Sequence, residues 1–160
     1  FYVADLAEYN SGRLTGKWIA IEGHTAATLL EEMTAFVAAR GHEEWAIHDY
    51  NNLPLSSEWP DLEIVIQTAE LVTSHDFETV AAFLDYFGTE QLGEFEERYR
   101  GHFPSEEHFV YELVDECYDL EKSMGDLSRY FDYASFTRDL FMGDYVSARV
   151  PDGVAVFQNY

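Results

Sequence analysis

The sequence predicts an α+β protein, arranged as an elongated chain of three small domains. Strand-like and helix-like hydrophobic patterns both occur along the 160 residues. A connector at residues 51–60, rich in Asn, Ser and Pro, indicates a first domain boundary. Residues 41–97 hold fourteen acids and no Lys or Arg, whereas the segments on either side are closer to balance. We therefore expect a sheet with a helix at residues 1–60, a helical middle domain at residues 61–97 and an α+β C-terminal domain at residues 98–160.

The N-terminal domain is predicted to contain a three-stranded sheet and one helix. Two runs rich in aromatic and branched residues predict strands, and the turn residues Asn10, Ser11 and Gly12 between them predict a hairpin. Apolar residues then recur at helical spacing until Gly41 ends the pattern. The predicted strands cover residues 2–6, 17–21 and 45–48, and the predicted helix covers residues 25–40.

The middle domain is predicted to be helical, with acidic residues on the outer faces of its helices. Apolar stripes at helical spacing predict two helices, and Glu90, Glu94 and Glu97 indicate one face of a third, shorter helix. Because each apolar stripe would be buried, the carboxylates between its residues would point to solvent. The predicted helices cover residues 62–72, 77–87 and 90–97.

The C-terminal domain is predicted to combine a helix, an aromatic segment and a hairpin. Ser105 is a candidate N-cap for a long helix with Cys117 and Met124 on its inner face. A segment rich in Tyr and Phe follows, and two strand-like runs on either side of a Pro-Asp-Gly turn predict the closing hairpin. The aromatic segment covers residues 127–141, and the two strands cover residues 145–150 and 154–157.

The charge balance excludes several classes of function. The chain has 31 Asp and Glu against 9 Lys and Arg, a formal net charge of −22 and a pI near 4.3. Such a surface repels nucleic acid and anionic membranes, so we expect no direct binding to either. No apolar run reaches the roughly 18 residues that a membrane helix needs. Because 47% of the residues are hydrophobic, we also exclude intrinsic disorder. The high charge and the lack of a long apolar run lead us to expect a soluble cytoplasmic protein.

No sequence pattern indicates catalysis, a metal ion or a cofactor. His42, Glu43 and Glu44 resemble the start of a zinc-protease motif, but the next His lies six residues after the first rather than four. Cys117 falls on the apolar face of a predicted helix, which favours a buried structural thiol over a nucleophile. The sequence also lacks a glycine-rich phosphate loop and an EF-hand loop. We therefore predict a protein that is not an enzyme, with no catalytic residue, no metal and no cofactor.

The excess of acid is the strongest indication of function. Solubility needs a net charge of only about 2–8 for a small domain, and like charges four residues apart destabilise a helix by about 0.2–0.5 kcal/mol. Imitation of nucleic acid would explain the excess, because duplex DNA carries about two negative charges per base pair and −22 matches about eleven base pairs. Charge presented along a line requires an elongated molecule. The alternatives are a merely solvated surface, a halophilic surface, and a generic acidic interaction module for a basic DNA-binding partner protein.

Four blocks of the sequence resemble the ArdA antirestriction family. They are Tyr2-Val3-Ala4-Asp5-Leu6-Ala7-x-Tyr9-Asn10-x-Gly12-x-Leu14-x-Gly16-x-Trp18, then Glu43-Glu44-Trp45-Ala46-Ile47-His48-Asp49-Tyr50, then Leu127-x-x-Tyr130-Phe131-Asp132-Tyr133-x-x-Phe136-x-Arg138-Asp139-Leu140, and finally Gly153-Val154-x-Val156-Phe157. The third block resembles the antirestriction motif of the family. The acidic middle of the chain matches the family in character more than in letters.

The resemblance implies a function as well as a fold. The family consists of elongated three-domain proteins that dimerise through the C-terminal domain and mimic bent B-form DNA. They occupy the DNA-binding site of Type I restriction-modification enzymes, so we expect the specificity and methyltransferase subunits of such an enzyme as partners. Mobile elements entering bacteria carry these proteins to protect their DNA. The resemblance therefore implies a homodimer that acts in the cytoplasm of a bacterial host cell.

Two sets of residues are candidate functional sites. We assign DNA mimicry to the outward carboxylates of the predicted helices. For any single carboxylate, the alternative is a surface charge that takes no part in binding. These are Glu63, Glu70, Asp76, Glu78, Asp85, Glu90, Glu94, Glu97, Glu112, Asp115, Glu116 and Asp119. The family motif implies a dimer interface. For the apolar residues of the motif the alternative is the domain's own core, and for the charged residues it is a local ion pair. Its residues are Leu127, Tyr130, Phe131, Asp132, Tyr133, Phe136, Arg138, Asp139 and Leu140.

Overall fold

Eight α-helices and two three-stranded antiparallel sheets make up the chain in a computed structural model that describes all residues from 1 to 160. This confirms the predicted α+β class. The chain divides into two units, Phe1–Leu92 and Gly93–Tyr160. The predicted division into three domains is not confirmed.

The sheet of the first unit has the strand order β2-β1-β3. The three predicted strands are all present, but the second is short and ends at Trp18 rather than at residue 21. The link between β1 and β2 contains a short helix, α1, where the sequence predicted only a turn. Helix α1 forms because the Asp5 carboxylate at the end of β1 accepts hydrogen bonds from the first free backbone N–H groups of the helix. The bounds are β1 Tyr2–Asp5, α1 Leu6–Asn10, β2 Gly16–Trp18 and β3 Trp45–Asp49.

The helices of the first unit match the predicted periodicity closely. Helix α2 is Ala26–Ala38, α3 is Leu62–Ser74 and α4 is Phe77–Phe87, and a 3₁₀ segment follows at Thr89–Glu94. The core of this unit joins Val3 and Ile47 of the sheet to Met33 of α2 and Val65 of α3. Helix α3 therefore belongs to the core of the N-terminal sheet, although the sequence placed it in a separate middle domain.

The second unit is built on a sheet with the strand order β4-β6-β5. The predicted hairpin is confirmed, and its two-residue turn places Asp152 in the left-handed region at φ 65°. Strand β4 was not predicted, because its five residues Tyr-Arg-Gly-His-Phe have Gly101 at the central inward position, where no apolar side chain marks a strand. The bounds are α5 Phe95–Arg98, β4 Tyr99–Phe103, α6 Glu106–Cys117, α7 Leu120–Met124, a 3₁₀ segment Gly125–Tyr130, α8 Tyr133–Leu140, β5 Tyr145–Val150 and β6 Gly153–Gln158.

The predicted long helix after Ser105 is two helices with a break between them. Helix α6 ends at Cys117, Tyr118 is extended, and Asp119 caps the short helix α7 by accepting from the N–H of Lys122. Helical periodicity does not continue across this break, so residues after it do not share the inner face of α6. Met124 lies beyond the break and is exposed, and Cys117, the last residue of α6, is exposed where the helix ends, so the prediction of a buried structural thiol is wrong.

Aspartate residues begin five of the eight α-helices. The side chain of each accepts a hydrogen bond from a backbone N–H of the first turn, which is the favoured role of Asp at an N-cap. They are Asp5, Asp61, Asp76, Asp119 and Asp132. Part of the acidic excess thus stabilises the fold.

No helix of the chain combines the length and the apolar character needed to span a lipid bilayer.

Candidate functional site

All twelve carboxylates assigned to the acidic surface are exposed, as the predicted helical faces required. Six belong to the first unit and six to the second. Three amphipathic helices supply most of them, because the apolar stripe of each helix is buried in its own unit and leaves the acidic side in water. The exposure is confirmed, and the role of these carboxylates stays a prediction.

The clearest arrangement of charge is on helices α3 and α4. Glu63 and Glu70 lie seven residues apart on α3, and Glu78 and Asp85 lie seven residues apart on α4. Seven residues complete nearly two turns, so the members of each pair share one helix face about 10.5 Å apart along the axis. Each helix thus presents two negative charges on one face.

No Lys or Arg side chain offsets this part of the surface. Residues 41–97 contain neither residue type, and none of the four carboxylates on α3 and α4 forms an ion pair. By contrast, Arg13 pairs with Glu8 at 2.6 Å, and Lys17 pairs with Glu32, within the nearly balanced first forty residues. Charges without a partner are the ones that remain available to a cationic ligand.

Several of the other candidate carboxylates already have partners in the chain. Asp76 and Asp119 cap helices, as described above. Glu94 accepts from Arg98 at 2.8 Å, and Glu112 lies 3.4 Å from the imidazole of His108. Since Arg98 also donates to two backbone carbonyls near the C-terminus, its position and that of Glu94 are fixed by the fold. These four carboxylates would contribute less to binding than the unpaired ones.

The aromatic segment of the second unit is divided between core and surface. Phe131, Tyr133 and Phe136, together with Leu140, are half-buried and pack against the core formed by α6 and β6. Leu127 and Tyr130 instead point into solvent, with exposed fractions of 62% and 71%. The first group thus packs on the core of its own unit and the second group is exposed, and the dimer interface stays a prediction.

The charged residues of the same segment form local contacts. Asp132 caps α8 by accepting from the N–H and the hydroxyl of Ser135, at 3.0 and 2.8 Å, and these bonds lower its pKa below the ordinary value. The guanidinium of Arg138 donates to Asp139 at 2.9 Å. Both contacts join residues of α8 and its N-cap, so neither needs a second protomer.

One buried polar pair was missed by the sequence analysis. The Asp5 carboxylate is fully buried and lies 2.7 Å from Nδ1 of His42, 37 residues away. Burial alone would raise the pKa of Asp5, but hydrogen bonds from His42 and from the backbone N–H groups of Glu8 and Ala7 outweigh it. The pKa is therefore lowered, and Asp5 stays ionised. No local pattern marks such a pair, because its members are joined only by the fold.

A cavity of about 1070 Å³ lies in the second unit. It is lined by parts of α6, α8 and the β5–β6 hairpin, and by neither His nor Cys, so it holds no Ser–His or Cys–His pair for nucleophilic catalysis. In this cavity Glu106 accepts a hydrogen bond from Ser147 at 2.6 Å. No group of three or more His, Cys, Asp or Glu side chains is arranged to hold a metal ion.

A family model described as "Antirestriction protein (ArdA)" matches residues 1–154. No curated protein matches the chain in sequence.

Proposed function

The chain belongs to the ArdA family of antirestriction proteins, and from this membership we propose that it mimics bent B-form DNA and occupies the DNA-binding groove of Type I restriction-modification enzymes. Antirestriction, and hence interaction with restriction-modification enzymes in general, is the function of the family. One observation carries the finer proposal. All twelve candidate carboxylates are exposed, and the central stretch that holds most of them contains no Lys or Arg.

The physical basis of the mimicry is the electrostatics of a DNA-binding groove. Such a groove binds DNA through Lys and Arg side chains that displace the counterions of the phosphates. Carboxylates held on the outer faces of helices would satisfy the same cations without any nucleotide. The net charge of −22 is that of about eleven base pairs, and a two-fold dimer would double it.

The proposed partners are the specificity and methyltransferase subunits of a Type I enzyme, because these subunits hold the DNA. We also propose a homodimer formed through the aromatic segment of the second unit. Exposed Leu127 and Tyr130 support this, since two large apolar side chains on the surface gain free energy when a second copy covers them. The setting would be the bacterial cytoplasm, where incoming mobile-element DNA meets restriction enzymes.

Competition with DNA tests the proposal directly. A labelled duplex is bound to a purified Type I methyltransferase, and the protein is titrated into the complex at several duplex concentrations. We expect full displacement, with a midpoint that rises in proportion to the free duplex. Protein and duplex bound together on one enzyme would overturn the proposal. The same titration on a complex of the duplex with a histone-like protein is the control, and equal displacement there would indicate a generic acidic module.

A further inference from the structure

The outer face of the first sheet carries a group of aromatic side chains that the core does not use. Val3 and Ile47 pair in register and belong to the core on the inner face. Side chains alternate along a strand, so Tyr2 points to the opposite face, where it pairs in register with Trp18 of β2. None of the aromatic side chains on this face belongs to the core cluster of the first unit.

These side chains line an open surface pocket of about 490 Å³. The Tyr2 and Trp18 rings meet edge to face at a centroid distance of 5.5 Å, and the Tyr9 and His48 rings do so at 4.7 Å. Tyr9 and Trp18 each leave 52% of their surface in solvent. The pocket is lined by Tyr2, Tyr9, Leu14, Trp18, His48 and Asp49.

Gly16 of β2, which pairs with Ala4, allows the Tyr2 ring to pack closely on the outer face of the sheet. A Cβ atom on Gly16 would lie 2.3–2.5 Å from Cζ, Cε1 and the hydroxyl oxygen of Tyr2, so the Tyr2 ring would have to move away from its place on β2. Glycine at this position therefore lets the Tyr2 ring lie directly against β2, beside Trp18. The aromatic wall is held by the backbone of the sheet, so a ligand would meet it already formed.

The chemistry of the lining favours a cation with an apolar stem. The faces of Trp and Tyr rings attract a guanidinium or ammonium group, and the exposed carboxylate of Asp49 adds a negative charge at the same pocket. The first unit has sixteen acids against three bases, which further favours a cationic guest. Guanidinium suits the site better than ammonium, because it is planar, stacks on aromatic rings and gives up its hydration more easily.

We propose that this pocket binds an arginine side chain of the protein partner. The arginine stem would pack on Leu14, its guanidinium would lie on the Tyr9 and Trp18 rings, and Asp49 would accept a hydrogen bond from it. The identification of the partner as the enzyme rests on the proposed function, whereas the preference for arginine rests on the pocket alone. The site would add a specific anchor to a binding surface that otherwise recognises charge.

A peptide titration tests the pocket without the enzyme. The probe is acetyl-Gly-Arg-Gly-amide, titrated into the full chain at millimolar concentration while the ring resonances of Tyr2, Tyr9 and Trp18 are followed by NMR. The control is the same peptide with citrulline, which has the shape of arginine but no charge. We expect saturable shifts with the arginine peptide and at least fivefold weaker binding of citrulline. Equal shifts from both peptides, or none from either, would overturn the proposal.

Binding to a Type I methyltransferase tests the role of the pocket in recognition. We expect Trp18→Leu to weaken binding about tenfold with an unchanged salt dependence, since no charge is removed, and Trp18→Phe to restore most of the affinity. Leu30→Ala, at an exposed apolar position of α2 outside the pocket, is the matched control and should bind as the parent does. Thermal unfolding of each variant checks that it is folded.

The two proposals fail in different ways. If the parent protein does not bind the enzyme but the arginine peptide shifts the pocket resonances, the proposed function fails and the pocket stands. If the parent protein binds the enzyme and Trp18→Leu binds equally well, the anchor is absent and the proposed function stands.

Discussion

Two buried threonines on helices differ in a single hydrogen bond. The hydroxyl of Thr68 on α3 donates to the carbonyl of Ile64 at 2.7 Å, whereas the hydroxyl of Thr137 on α8 has no partner. A buried hydroxyl without a partner costs free energy, and Val has the same shape without it. We expect Thr137→Val to raise the free energy of unfolding by about 1 kcal/mol. Urea denaturation measures the change.

Thr68→Val is the matched control for this substitution, because it makes the same change of side chain at a position where the hydroxyl is satisfied. It should leave stability unchanged or lower it. A loss of stability in Thr137→Val as large as in Thr68→Val would show that the Thr137 hydroxyl has a partner in solution.

The buried carboxylate of Asp5 makes stability depend on pH. Its pKa in the folded chain lies below the ordinary value of about 3.9, so folding favours the ionised form. The resulting stabilisation is present above pH 4 and is lost as the pH falls through the folded pKa. We expect Asp5→Asn to lower the free energy of unfolding at pH 7 by about 1–3 kcal/mol, because the neutral amide loses the charge-assisted bond to His42.

Denaturant unfolding from pH 7 down to pH 3 measures this difference, which should shrink below pH 4. Glu8→Gln is the control, since it removes a carboxylate of an exposed ion pair with Arg13 and should change stability by less than about 1 kcal/mol. A difference between Asp5→Asn and the parent that stays constant down to pH 3 would contradict the account.

Single residues could be predicted where their position on a helix decides their surroundings. The seven candidate carboxylates on α3, α4 and α6 are exposed because they lie outside the apolar stripes that the sequence displays. The prediction for Cys117 was wrong, because α6 ends at this residue and its side chain is exposed there, whereas the predicted helix continued to Met124. The pair of Asp5 and His42 could not be predicted, since only the antiparallel sheet brings the two residues together.

Helices α3 and α4 carry the element-scale prediction. The double substitution Glu63→Gln with Glu70→Gln removes two unpaired charges from one face of α3. If these charges stand in for phosphates, binding to a Type I methyltransferase should weaken, and the slope of log affinity against log salt should fall by about two. Because the cost sums over many contacts, either single substitution should have little effect.

The control is Glu22→Gln with Glu31→Gln, which makes the same change in net charge at exposed positions of the nearly balanced N-terminal segment. It should leave the salt slope close to that of the parent. An equal loss in both double variants would mean that net charge alone, without its placement on α3, determines binding.

Long helices were predictable as elements, and short or irregular ones were not. The bounds of α2, α3 and α4 lie within three residues of the predicted helix ends, because each carries a full apolar stripe. Helix α1 has only five residues and strand β4 contains Gly101, so neither shows a periodic pattern. Both depend on contacts made elsewhere, α1 on the cap from Asp5 and β4 on its pairing with β6.

At the scale of the molecule, the charge of the chain could be read from composition but the domain organisation could not. Residues 51–60 contain the chain-breaking residues of a linker, yet Leu62 and Val65 after them pack with Val3, Leu29 and Met33. Such a contact joins segments some sixty residues apart and leaves no local trace in the sequence. The boundary between the two units instead falls within the 3₁₀ segment Thr89–Glu94.

Dimer formation is the first prediction at this scale. We expect the parent protein to sediment as a dimer, with the elongated form that a line of charge requires. The double substitution Leu127→Asp with Tyr130→Asp should give a folded monomer, because each protomer would then bring two further charges to the interface. Leu30→Asp, which places one charge on the exposed face of α2, should remain dimeric. A monomeric parent, or a double variant that stays dimeric, would contradict the proposed interface.

The salt dependence of binding tests the central claim most directly. Affinity of the parent protein for a purified Type I methyltransferase is measured by calorimetry from 50 to 400 mM salt, alongside a cognate duplex on the same enzyme. Carboxylates that replace phosphates in a cationic groove should make log affinity fall linearly and steeply with log salt, as it does for the duplex. An affinity that stays constant across the series, while that of the duplex falls, would show that the acidic side chains do not act as substitutes for DNA.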